Sequence, residues 1–158
     1  TVIKVGGTAR LDASGATGGG QILIGGGFRG RDATVRNAST LFVESGANIV
    51  ADATVSGQGG NVILWSDLST SFAGNLSAHG VSKGGFAEIS GKDTLEVSGN
   101  IDLLATNGSA GTLLLDPTNV TISALGAAMV GVSAISNVWL SQQLDAGINV
   151  VVSTDFGS

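Results

Sequence analysis

Six carboxylates, Asp67, Glu88, Asp93, Glu96, Asp102 and Asp116, are the residues of this chain with the widest chemical reach. Gathered on one face, such groups bind calcium or serve as acid and base in the cleavage of a polysaccharide. Their spacing shows no shared register and no accompanying cluster of arginine or lysine, so they read as a solvated acidic surface. His79 is the only histidine, and with serine and aspartate abundant a hydrolase triad can always be drawn around it. It falls at a glycine-flanked corner, where a solvated turn is the plainer reading.

Gly25-x-Gly27-x-x-Gly30 follows the strand-like Ile22-Leu23-Ile24 and has the glycine spacing of a dinucleotide fingerprint. That chemistry needs a helix next, and residues 32–40 carry no helical apolar stripe, so the segment reads as a loop. Trp65 and Trp139 could stack on sugars, but both are expected to pack. Four sequons stand at Asn37, Asn75, Asn107 and Asn119, and structural duty at a corner accounts better for Asn75 than modification does. No catalytic, cofactor or metal residue is assigned, and the chain is not read as an enzyme.

What must position these residues is an internal repeat. Asn48-Ile49-Val50-Ala51, Asn75-Leu76-Ser77-Ala78 and Asn100-Ile101-Asp102-Leu103 each follow a glycine, at Gly46, Gly74 and Gly99, and each runs on to a second glycine site. Ile49 to Leu76 is 27 positions, Leu76 to Ile101 is 25 and Gly59 to Gly84 is 25. An earlier copy at Leu11-Asp12-Ala13 lies farther off, with 40 positions from Gly19 to Gly59, which implies an insertion loop at about 25–38.

Each repeat divides into three apolar ledges by period-two alternation. Ile49 with Ala51, Leu76 with Ala78, and Ile101 with Leu103 form one. Ile22 with Ile24, Val62 with Leu64, Ala87 with Ile89, and Leu113 with Leu115 form the second. Leu41 with Val43, Phe72, and Leu95 with Val97 form the third. Strands about 25 residues apart yet adjacent in space must run parallel, and so short a unit gains a core only from the copies above and below it.

The fold class expected is therefore all-β: a parallel β-helix, or solenoid, of about 25 residues and three strands per turn, with about six turns. Glycine is expected at the corners for its positive φ, and Asn48, Asn75 and Asn100 recur at one corner, where asparagine tolerates left-handed geometry and can bond the copy above. One short helix is expected near 137–146, capped by Ser136, stapled by Ile135 and Leu140 and ended by Gly147. Leu23, Ile63 and Leu114 point outward yet are apolar, so the helix or the Phe28 insertion is expected to cover them.

Composition agrees and sets limits. Among 158 residues, glycine supplies 26 and proline 1, with 42% hydrophobic and 12% charged, which suits many short strands joined by glycine turns. The net charge of −5 and the scattered basic residues supply no cationic track, so nucleic acid is not an expected partner. Cysteine is absent, which removes disulfides and thiolate metal sites. No apolar run approaches the ~20 residues of a membrane span. Repeat patterning near both ends marks 1–158 as a single segment of something longer.

Gly59-Gly60-Asn61-Val62-Ile63-Leu64-Trp65-Ser66-Asp67, Gly84-Gly85-Phe86-Ala87-Glu88-Ile89-Ser90-Gly91-Lys92 and Gly111-Thr112-Leu113-Leu114-Leu115-Asp116-Pro117-Thr118-Asn119-Val120-Thr121-Ile122 resemble the filamentous haemagglutinin-like family of large bacterial exoproteins. Gly25-Gly26-Gly27-Phe28-Arg29-Gly30 is similar to its insertion loop, and Leu144-Asp145-Ala146-Gly147-Ile148-Asn149-Val150 to its helix-to-strand return. The resemblance implies a right-handed coil and two-partner secretion through an outer-membrane pore. It also implies a place outside the cell, secreted or on the bacterial surface, and a part in adhesion or biofilm cohesion through host-cell or matrix glycans or other surface proteins. A stalk for a contact-dependent toxin and a β-helical polysaccharide-binding protein or lyase are the alternatives. The family's amino-terminal secretion domain is not recognisable in these residues, which therefore read as mature shaft beyond it.

Overall fold

Short alternating aliphatic runs closed by glycine become strands, and their order repeats along the chain. The computed structural model describes residues 1–124 and 132–154. A first pass gives β1 (Val2–Val5), β2 (Arg10–Asp12) and β3 (Gln21–Ile24). The second gives β4 (Thr40–Val43), β5 (Asn48–Val50) and β6 (Asn61–Ser66), and the third β7 (Ser69–Phe72), β8 (Asn75–Ser77) and β9 (Phe86–Gly91). A fourth adds β10 (Thr94–Val97), β11 (Asn100–Asp102) and β12 (Thr112–Leu115). Then come β13 (Val120–Ser123), β14 (Ser133–Ser136), the helix α1 (Asn137–Asp145) and β15 (Asn149–Val152).

The strands assemble into three sheets, and the pairings within them are parallel. The first runs β1-β4-β7-β10-β14-β13, the second β2-β5-β8-β11 and the third β3-β6-β9-β12-β15. Registers follow the repeat: Leu76 lies between Ile49 and Ile101, Ala87 between Val62 and Leu113, and Ile22 opposite Val62 across the longer gap. The expectation thus stands in its coarser form, a mostly β chain of parallel sheets with one short helix. All three sheets turn their aliphatic rows into one core, where Leu41, Ile49, Val62, Leu64, Ile89, Leu103 and Leu115 are fully buried.

The corners correct the sequence reading in two ways. Gly59 and Gly84 do not adopt positive φ; a side chain there would strike the carbonyl oxygens of Ala78 and Leu103 in the neighbouring repeat. Bare backbone lets Gly60 and Gly85 donate across the corner to Ala51 and Ala78 at 2.7 and 2.8 Å. Asparagine is not left-handed either, because Arg29 is the only non-glycine residue with positive φ among the described residues. Asn48, Asn75 and Asn100 are extended residues opening β5, β8 and β11, and their amides form a ladder. Asn75 Nδ2 donates to Asn48 Oδ1 at 3.3 Å and Asn100 Nδ2 to Asn75 Oδ1 at 2.8 Å.

Near the carboxyl end the simple repetition stops. β14 lies between β10 and β13, although β13 precedes it in sequence. The chain moves one level outward and then returns to fill the gap. Where a strand of the second sheet would follow β14, α1 stands instead and packs on β14 and β15. Ser136 caps it by accepting from the Trp139 N–H at 3.3 Å, and Gly147, at φ 93°, ends it. Ile135 and Leu140 both join the core. Buried Trp139 donates its indole N–H to Gly99 O at 2.8 Å, tying the helix to the turn before β11.

Candidate functional site

The third sheet carries an outward row that should be polar and is mostly apolar: Leu23, Ile63, Glu88 and Leu114 lie side by side in register. Ile63 and Leu114 are buried and Leu23 is half-buried. Their cover includes the connection between β3 and β4, which takes residues 25–39 where β6 to β7 and β9 to β10 each need two. Within that loop Phe28–Gly30 forms one 3-10 turn. The Phe28 ring stands 6.0 Å from that of Phe86, and a cavity of about 270 Å³ beneath it is lined by Leu23, Phe28, Ile63 and Phe86.

Glycine makes this approach feasible. At Gly30 (φ 63°) and Gly26 (φ 153°) a side chain would collide with the Trp65 ring, so the loop backbone lies directly on that indole. Of the Gly25-x-Gly27-x-x-Gly30 positions, Gly25 and Gly30 lie against Trp65, whereas Gly27 lies against Asp32. Residues 32–39 are irregular, and the helix a dinucleotide would need does not follow. Trp65 itself is 2% exposed and offers no stacking face; its indole donates to Asp67 Oδ1 at 3.1 Å.

Under the loop lies a buried ionic group. The Arg29 backbone N–H donates to both Glu88 oxygens, at 3.2 and 3.0 Å, with Arg29 held in the left-handed region at φ 53°. Its Nε stands 3.1 Å from Asp116 Oδ2, an ion pair by distance without a hydrogen bond between them. Its guanidinium carbon lies 5.6 Å from the Phe28 ring centroid. Both carboxylates are fully buried. One guanidinium cannot neutralise two acids in a desolvated site, and burial, against the hydrogen bond from Arg29, pushes the Glu88 carboxyl up to about 7. The Asp116 charge adds to the rise.

Two of the six carboxylates are thus brought together on a cation, contrary to the expectation of an unpartnered surface. Asp67 joins the rim of the same loop, where Asn37 Nδ2 donates to its Oδ1 at 2.9 Å. The other three do not converge there. Glu96 accepts from Ser71 on the first sheet, Asp102 meets His79 beside the second, and Asp93 is exposed in the turn before β10. Arg29 was not singled out by sequence reasoning. The available signal was Glu88, an acid in the middle of an otherwise apolar outward row, which demands a buried donor.

A second polar cluster lies beside the asparagine ladder. His79 Nδ1 is 3.2 Å from Asp102 and Nε2 is 3.1 Å from Thr106 Oγ1, while the His79 backbone N–H and Ser77 Oγ both bond Asp52 Oδ1. Hydroxyl, imidazole and carboxylate stand in triad order, but Thr106 is on an exposed turn. Gly80-Val81-Ser82-Lys83-Gly84 has the spacing of a nucleophile elbow, a pattern wrongly taken as absent from the sequence. Ser82 is exposed in a bend that leads into β9 with no helix after it, and the His79 ring faces Thr106. Of the sequon asparagines, Asn107 and Asn119 are exposed, Asn75 belongs to the ladder, and Asn37 is held by Gly30 O and Asp67.

No protein-family model matches the sequence, and a search of curated proteins finds no match. Among the described residues no helix is long and apolar enough to cross a membrane, and no three acidic, histidine or cysteine side chains group as metal ligands.

Proposed function

We propose that the chain is a right-handed parallel β-helical segment of a longer, secreted or surface-anchored bacterial adhesin of the filamentous haemagglutinin-like kind, serving as shaft in attachment or biofilm cohesion. The observation that carries the reading is repetition at matched levels. First-, second- and third-sheet strands recur in the same order, each bonded to its counterpart a repeat away, with the asparagine ladder in step. Such stacking lets length be added without a new core. The right-handed sense follows from the hand that parallel crossovers favour, and the secreted location and outer-membrane pore follow from the sequence resemblance.

Scattering from the purified chain should report an elongated particle, and the gene should stand beside one for an outer-membrane pore. Polysaccharide incubations should release nothing. Reproducible formation of reducing or unsaturated ends, lost when one surface carboxylate is replaced, would overturn the shaft in favour of an enzyme.

A further inference from the structure

Between the 25–39 loop and the turns that follow β6 and β9 lies a cavity of about 310 Å³, and the side chains around it are Arg29, Arg31, Asn37, Trp65, Asp67 and Lys92. Three of the chain's seven basic residues meet here, in a protein whose net charge is −5. We propose that this cavity binds a carboxylated sugar. The inference deepens the attachment reading and rests on it for the source of the ligand.

Two of the three cations are available. Arg31 and Lys92 are exposed and make no ion pair among the described residues, while Arg29 is anchored by Asp116 and Glu88 at its inner side and is only partly covered. The Arg29 guanidinium, already committed to Asp116, forms the inner wall of the cavity. Arg31 on the loop and Lys92 on the turn then close on the same anion from two separate elements. Convergent cations of this kind discriminate by charge.

Asp67 decides the class of anion. Its Oδ1 accepts from Asn37 and Trp65, and Oδ2 accepts no hydrogen bond among the described residues, so this lining residue keeps an acceptor for a hydroxyl. Phosphate or sulfate, bearing oxygens on every side, would set one against that carboxylate. A uronate presents a carboxylate to the cations and hydroxyls to Asp67. The volume lies at the lower end of small-ligand sites, which suits one or two sugar rings.

Isothermal titration of the full chain with galacturonic acid disaccharide, its methyl ester and inorganic phosphate tests the site. Saturable binding of the acid is expected, with the ester about tenfold weaker or silent and phosphate failing to compete. Replacing Arg31→Gln and Lys92→Gln together should weaken the acid about tenfold while the circular dichroism spectrum stays that of the parent, since neither side chain supports the fold. No saturable binding, equal binding of acid and ester, competition by phosphate at the sugar's own concentration, or an unaffected double variant would each overturn the proposal. Mass spectrometry of the recovered disaccharide separates the two readings: cleavage would remove the shaft, whereas absent binding removes only the site.

Discussion

Glu88 is an acid taken wholly out of water. Its carboxyl is raised from 4.5 to about 7, so the fold holds a proton that the unfolded chain gives up earlier. Stability from this group is complete below pH 4.5 and is lost as pH climbs towards 7, a change on the order of 3 kcal/mol. Thermal unfolding followed by circular dichroism should therefore show a falling midpoint across that window. Glu88→Gln keeps an acceptor for the Arg29 N–H and should flatten the fall; a slope as steep as the parent's would assign the titration elsewhere. Gly30 offers a second test. Gly30→Ala places a methyl group against Trp65 at a left-handed φ, and urea unfolding should register a loss of about 1–3 kcal/mol.

Among the elements, the ladder and the helix differ in what they contribute. Asn75 is the middle rung, donating to one neighbour and accepting from the other, so Asn75→Ala severs two side-chain bonds and Asn100→Ala one. About 1 kcal/mol per bond is expected, with Asn75→Ala the costlier in chemical denaturation. Most of the strands and their registers were legible because period two and the Asn–glycine spacing recur from repeat to repeat, and the helix was legible from its cap, staple and terminating glycine. Ser136 and Gly147 announce α1 by type alone. The positive φ expected of the corner glycines holds at Gly46, whereas at Gly59 and Gly84 closeness to Ala78 and Leu103 decides, and that arises only when the repeats stack. Arg29 was not legible, because its partners are 59 and 87 positions away.

Across the whole molecule, each repeat leans on its neighbours and no single one defines the core. Excising the 25 residues Asn75–Gly99 joins Gly74 to Asn100, a junction the chain already uses at Gly99-Asn100. The shortened chain should keep a β-type spectrum and unfold in one transition at lower denaturant, and a random-coil spectrum would contradict the modular picture. The repeat period carries no sign of the departure at the carboxyl end, where β13 sits outside β14. Alternation marks a strand and says nothing of its level. That inversion bears on how the chain is assembled when it emerges amino end first. The free edge of β10 is open to β13 before β14 exists, and any pairing made there would have to be displaced when β14 inserts. A chain stopped at Ser123 should hold β13 against β10, a trapped precursor that amide exchange would distinguish from the mature pairing.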